Sequence, residues 1–140
     1  MAVATSEERK RIARAGFEAF NAGDPHAVIA LLAENVEVFA SPELANAGRF
    51  HGHDGYSRWV QPWIDAWEDL EMGVTDVTPV GDRHVVAGIH QTGRGRAGIE
   101  VSMDVAFVFD VRGDGLISYL ALVPDREQGL ALARDREGSG

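Results

Sequence analysis

Apolar positions near the start of the chain recur at helical spacing. Ile12, Ala13, Gly16, Phe17 and Phe20 fall three and four residues apart, and Thr5 followed by Glu8 has the spacing of a capping box, so a first helix is predicted from about Ser6 to Ala22. Gly23 suits the left-handed residue that ends such a helix. Asp24 and Pro25 suit the N-cap and first position of a second helix, with Val28, Leu31 and Leu32 inward, running to about Ala33. The period then changes. Val36 to Phe39 is a short β-rich run broken by Ser41-Pro42, and Arg49 to His51 reads as a short second strand. The stretch Gly52-His53-Asp54-Gly55 offers a turn and an N-cap for a third helix, Tyr56 to Trp67, with Trp59, Trp63 and Trp67 one turn apart on one face. Pro62 inside that span removes a hydrogen bond and crowds the preceding turn, which implies a kink or a late helix start.

From Leu70 onward the pattern is that of strands: Met72 to Pro79, Arg83 to Thr92, Ile99 to Val111 and Leu116 to Val123. Turn-length connections at Gly81-Asp82, around Ala97 and at Gly113-Asp114-Gly115 predict an antiparallel sheet. Helices first and a meander last predict an α+β fold, because a parallel α/β sheet needs crossover helices between its strands. Residues Gln128 to Arg134 read as a short closing helix. The charged and then Gly/Ser-rich residues from about 135 to 140 read as a disordered tail of one domain spanning 1–140.

Charge and composition narrow the chemistry. With 22 acidic against 13 basic residues the formal net charge is −9, which opposes polyanions, so no nucleic-acid partner is expected. The absence of cysteine removes disulfides, thiolate zinc sites and cysteine nucleophiles. Met1 to Arg14 has no apolar run after its charges, and no apolar stretch is long enough to cross a bilayer; a cytoplasmic location without membrane contact is expected.

Gly93-Arg94-Gly95-Arg96-Ala97-Gly98 matches the glycine spacing of a dinucleotide loop, but such a loop must open a helix, and strands lie on both sides. A hairpin turn explains it, and no cofactor is assigned. His51, His53 and Asp54 are explained as turn and helix-start residues, and no metal is assigned. His90 and Asp104 lie on adjacent strands, and a three-residue loop sets them opposite one another. Facing a cavity, Asp104 would orient His90 as a general base; facing out, the two form a cross-strand ion pair. Alternation favours the outward reading, because Met103, Val105, Phe107 and Phe109 form the inward set unless a bulge shifts the phase. Tyr119 is a candidate phenol for a ligand oxygen. The tryptophan stripe is core first, and Trp59 and Trp63 are candidates to line a ligand pocket.

Phe20-Asn21-Ala22-Gly23-Asp24, Leu31 to Val38, Gly52-His53-Asp54-Gly55 and the run from Gly93 through Gly115 together resemble a SnoaL-like protein, a branch of the nuclear transport factor 2-like superfamily. The resemblance covers nearly the whole chain. It implies a cone-shaped α+β barrel in which a curved, mostly antiparallel sheet wraps three helices around a pocket, with a homodimer formed through the sheet. It also implies a hydrophobic, ring-bearing small-molecule ligand and a cofactor-independent cyclase, isomerase or hydrolase, or a non-catalytic carrier, sensor or filled-pocket scaffold. The family's catalytic positions do not carry the expected residues. Those of ketosteroid isomerases fall at Gly16, at Ala40 or Ser41, and near Val105 or Met103; those of the cyclases fall at about Phe107 and Ala121. The Asp-Arg-Asp set of the epoxide hydrolases has its nearest counterpart in the turn Arg112-Gly113-Asp114. His90, Tyr119 and Asp104 therefore stand as the catalytic candidates, and Phe17, Phe20, Trp59, Trp63, Met103, Val105, Phe107 and Ala121 as the ligand-binding candidates.

Overall fold

The computed structural model describes residues 3–44, 47–95 and 98–139. Helix α1 (Ser6–Asn21) starts at the expected capping box, in which the Thr5 hydroxyl accepts from the Glu8 N–H and the Glu8 carboxylate accepts from the Thr5 N–H. Helix α2 (Pro25–Ala30) is capped by Asp24 and ends earlier than the periodicity predicts. Leu32 is taken instead by strand β1 (Leu32–Ala40), where it pairs with Ile117. Strand β2 (Gly48–His51) returns along β1, and helix α3 (Gly52–Ala66) follows at once. It begins before Tyr56 and carries Pro62 in its interior, so the late start does not occur.

Strands β3 (Trp67–Val80), β4 (His84–Gly95), β5 (Glu100–Val111) and β6 (Ile117–Val123) complete a curved, unclosed sheet of order β2-β1-β6-β5-β4-β3. Every pairing is antiparallel except β1 with β6. Trp67 leaves the tryptophan stripe: it opens β3 opposite Gly95, and a side chain at Gly95 would meet its ring at 3.5 Å. The chain then irregularly crosses Asp69, which adopts positive φ and pairs with Arg94. The predicted turn around Ala97 falls partly outside the described residues; Gly95 N–H donates to the Ile99 carbonyl, and Gly98 has φ of +77°.

Period-two alternation assigns the two sheet faces. Val85, Ala87, Ile89, Val105, Phe107, Phe109, Leu120 and Leu122 point to the face covered by α1, α2 and α3, and form the main core. Val86, Ala106, Val108, Ala121 and Val123 point the other way, onto a fourth helix, α4 (Arg126–Ser139). This helix is longer than the predicted Gln128 to Arg134 segment, and it continues to Ser139 where a disordered tail was expected. The cause is a polar anchor at its far end. Glu137 accepts from the Asp82 and Arg83 backbone N–H groups at 3.1 and 3.0 Å, and from Nδ1 of the fully buried His84 at 2.5 Å. Arg136 donates to His84 Nε2, an arrangement in which the imidazole carries its proton on Nδ1. Gly81 permits this approach, since a Cβ there would lie 2.2 Å from the Glu137 carboxylate.

Burial works to raise the Glu137 pKa, but the hydrogen bonds from His84, Asp82 and Arg83 outweigh it and hold the group at about 2 rather than 4.5. A carboxyl depressed on folding stabilises the fold above its unfolded pKa and loses that contribution as pH falls towards the folded value. The melting-temperature difference between the wild type and Glu137→Gln is therefore expected to be full above pH 4.5 and to vanish between there and pH 2. A difference independent of pH across that window would refute the anchor.

Candidate functional site

The concave side of the sheet and α1 to α3 enclose a chamber of about 50 Å³. Its wall is built by Phe17 and Phe20 of α1, by Tyr56, Trp59 and Trp63 of α3, and by Phe107 of β5. The helical contribution follows from spacing, since residues three and four apart share a face. Phe17 stands edge-on to Phe107 at 5.1 Å and to Phe109 at 5.8 Å, and Trp59 lies 5.6 Å from Trp63. Above the chamber opens a vestibule of about 470 Å³ that shares Phe20, Val28, Tyr56 and Val60 with it and is bounded further out by Ile64, Trp67 and Leu70. A volume near 50 Å³ accommodates water but not a ring.

The chamber is almost wholly apolar. Among its described wall residues, the side-chain nitrogen and oxygen atoms are the Tyr56 hydroxyl and the indole N–H groups of Trp59 and Trp63. Burial pushes the Tyr56 phenol up to about 12, so at neutral pH it is protonated, as an ordinary phenol is. The Trp59 Nε1 is buried without a partner. Of the vestibule's polar side chains, Asn21 exchanges two hydrogen bonds with the Met72 backbone, Asp24 caps α2, Gln61 donates to Asp65, and Asp69 pairs with Arg94.

Phe17, Phe20, Trp59, Trp63 and Phe107, ligand-binding candidates from the sequence, are among the residues that line the chamber. Val105 lies in the same core cluster without reaching the chamber wall. The remaining candidates lie elsewhere. Met103 has the inward phase but is 42% exposed, because no helix covers that end of β5. His90 and Asp104 are directly opposite one another and bonded at 2.7 Å, with side chains 48% and 83% exposed on the convex face. They form the cross-strand pair that alternation favours, and they do not reach the chamber.

Tyr119 and Ala121 also face outward, beneath α4, where the Arg136 guanidinium lies 3.5 Å over the Tyr119 ring. The reason is a register shift between Asp110 and Val111: Ile117 pairs with inward Val111, whereas Tyr119 pairs with Asp110 on the opposite face. Gln91, on the inward phase of β4, is buried with an unpartnered Oε1 but is not part of the chamber wall. His53 accepts a structural place at the start of α3, with Nε2 3.0 Å from the Leu32 carbonyl. Sequence reasoning missed Tyr56. Its signal was present, since Tyr56, Trp59 and Trp63 stand at i, i+3 and i+7.

The model of the SnoaL-like domain matches residues 13–120. No curated protein sequence matches the chain. Among solved structures, a nuclear transport factor 2-like protein of unknown function from Burkholderia pseudomallei is 17% identical, with a TM-score of 0.74 over 90% of this chain and 97% of that one. A protein with a ketosteroid isomerase-like fold from Catenulispora acidiphila is 20% identical, with a TM-score of 0.70 over 87% and 91%. A Mycobacterium tuberculosis protein crystallised with estradiol-17beta-hemisuccinate is 15% identical, with a TM-score of 0.70 over 82% and 92%. These likenesses bear on the fold, and the match across most of the chain decides the family. The chain belongs to the SnoaL-like domain family.

Proposed function

We propose that this protein binds a hydrophobic, ring-bearing small molecule in the vestibule and chamber, and that it acts as a carrier or sensor rather than as an acid–base catalyst. The observation that carries this reading is the chamber wall, which contains aromatic and aliphatic side chains and no carboxylate, imidazole, amine or guanidinium. Cyclisation, isomerisation or hydrolysis needs a proton acceptor near the reacting atoms. Tyr56, a neutral phenol at pH 7, is not one. The His90–Asp104 pair is on the other side of the sheet. That a relative of this fold was crystallised with a steroid ester supports a ring-sized occupant. A homodimer through the sheet belongs to the same reading; with α4 over the centre of the convex face, contact would fall on the exposed strip at His90, Ser102 and Asp104.

The test is thermal denaturation against a panel of steroids, aromatic polyketides and terpenoid epoxides, beginning with estradiol-17beta-hemisuccinate. A ligand at a hundredfold excess over its Kd stabilises the native state by about 2.7 kcal/mol, which is a shift of several degrees. We expect such a shift to be lost in Val60→Trp, which adds bulk to the wall that vestibule and chamber share, and kept in His90→Ala. Product formation from any bound ligand, abolished by Tyr56→Phe, would replace the carrier reading with an enzymatic one.

A further inference from the structure

Strand β5 outruns its neighbour on one side. It pairs with β4 from Glu100 to Asp110 but with β6 only from Ala106 onward, so residues 100–105 form an open sheet edge among the described residues. The register fixes where their backbone groups point. Val111 N–H donates to the Arg83 carbonyl and Gly95 N–H to the Ile99 carbonyl, so the odd-numbered residues of this hairpin arm bond to β4. The N–H and C=O groups of Glu100, Ser102 and Asp104 therefore face the open edge, where a further strand would meet them. Side chains alternate about the same edge. Val101 and Met103 hold the concave phase, and Glu100, Ser102 and Asp104 the convex one.

Five large hydrophobic side chains are exposed among the described residues, and three of them, Ile99, Val101 and Met103, fall in this one stretch. Clustered apolar exposure of this kind marks a contact surface. Beside it lies a shallow trough: Gly93 stands opposite Val101, and a Cβ there would lie 3.4 Å from the Leu70 side chain. The charged groups of the edge are both acidic. Glu100 and Asp104 supply them, and Arg94, opposite Glu100, is held by Asp69. A formal net charge of −9 opposes the approach of a second copy and favours a basic partner.

We propose that residues 100–105 accept an extended segment of another protein as an added strand, with lysine or arginine beside Glu100 and Asp104 and aliphatic side chains beside Val101 and Met103. Backbone hydrogen bonds from Glu100, Ser102 and Asp104 give the attachment, and the two faces of the edge give the specificity. This docking does not depend on the ligand-binding reading. The opposite use of the two carboxylates, to keep any strand away from a bare edge, predicts that no such segment binds.

The probe is a fluorescein-labelled peptide with Lys-Val-Thr-Val-Lys at its centre, followed by anisotropy against the full chain. Two counterparts accompany it, one with glutamate in place of both lysines and one N-methylated at the central threonine. The lysine peptide is expected to bind about tenfold more tightly than either, the worth of one to two hydrogen bonds or exposed ion pairs. Ser102→Pro should weaken it by about tenfold, and the fold tolerates this change because the lost N–H faces the edge and not β4. Glu100→Lys should reverse the preference between the lysine and glutamate peptides, and it leaves the backbone intact, so it decides the matter if Ser102→Pro melts early. No binding of the lysine peptide, equal binding of the lysine and glutamate peptides, or undiminished binding of the N-methylated peptide would overturn the proposal. A wild type that sediments as a dimer and a Ser102→Pro variant that sediments as a monomer would also overturn it, assigning the edge to a second copy of the chain.

Discussion

Phe17→Ala is expected to cost about 3–5 kcal/mol of folding stability, the range for removing a buried ring that the surroundings cannot refill. Phe17 is 6% exposed and sits between α1 and the centre of the sheet, edge-on to Phe107 and Phe109. Truncation removes the transfer energy of the ring and two edge contacts worth about 0.5–1.5 kcal/mol each. It also enlarges the chamber, because Phe17 is part of its wall. Urea denaturation should show a lower midpoint at unchanged slope. The same variant should accept ligands too bulky for the wild type. A loss below about 1 kcal/mol would mean that the helices collapse onto the gap, and the wider ligand range would then not be seen.

Arg9→Met is expected to cost about 2–4 kcal/mol through backbone carbonyls rather than through an ion pair. Arg9 is 3% exposed, and its guanidinium donates to the carbonyls of His84, Gly81 and Val80 at 2.6, 2.9 and 3.3 Å. These three carbonyls surround the turn between β3 and β4. Methionine keeps an apolar stem of comparable reach and isolates the loss of the donors. Gly81 is exposed, so water can replace the donor there, whereas the carbonyl of His84 belongs to a fully buried residue and loses this donor with no bulk water to replace it. Arg9→Lys should recover only part of the loss, since an ammonium cannot span three acceptors in a planar fork. Urea denaturation of both variants measures this, and a loss below about 0.5 kcal/mol for Arg9→Met would show that the turn is held without the guanidinium. The turn also carries the Asp82 and Arg83 N–H groups that anchor α4, so hydrogen exchange at the end of α4 should quicken in Arg9→Met.

Most of the architecture is legible in local pattern. The capping box at Thr5 and Glu8, the cap at Asp24 and the four long strands follow from residue type and period, because caps and alternation report short-range geometry. The pairing of His90 with Asp104 follows from counting across a hairpin, and their outward phase from Met103 and Val105 on either side. The lining by Phe17, Phe20, Trp59 and Trp63 follows from helical spacing.

The misplacement of Tyr119 and Ala121 has a physical cause. Every residue of β6 except Ser118 is buried, so that strand has no wet face and its sequence shows no alternation from which to read a side. Two long-range features produce this, the register shift between Asp110 and Val111 and the packing of α4 over the convex face. The reach of α4 to Ser139 depends in the same way on Glu137 meeting His84 and the β3–β4 turn more than fifty residues earlier, as hydrogen bonds of sequence separation 53 to 55 record. The sequence alone determined most of the elements, the family, and most of the inward residues of α1 and α3. Only the tertiary structure decided which face each residue of β6 presents, what covers the convex side, and that Tyr56 joins Trp59 and Trp63 in the chamber wall. Local propensity and periodicity are set by neighbours along the chain, whereas burial on both faces of a strand and the partner of a buried donor are set by segments that meet only when the chain has folded.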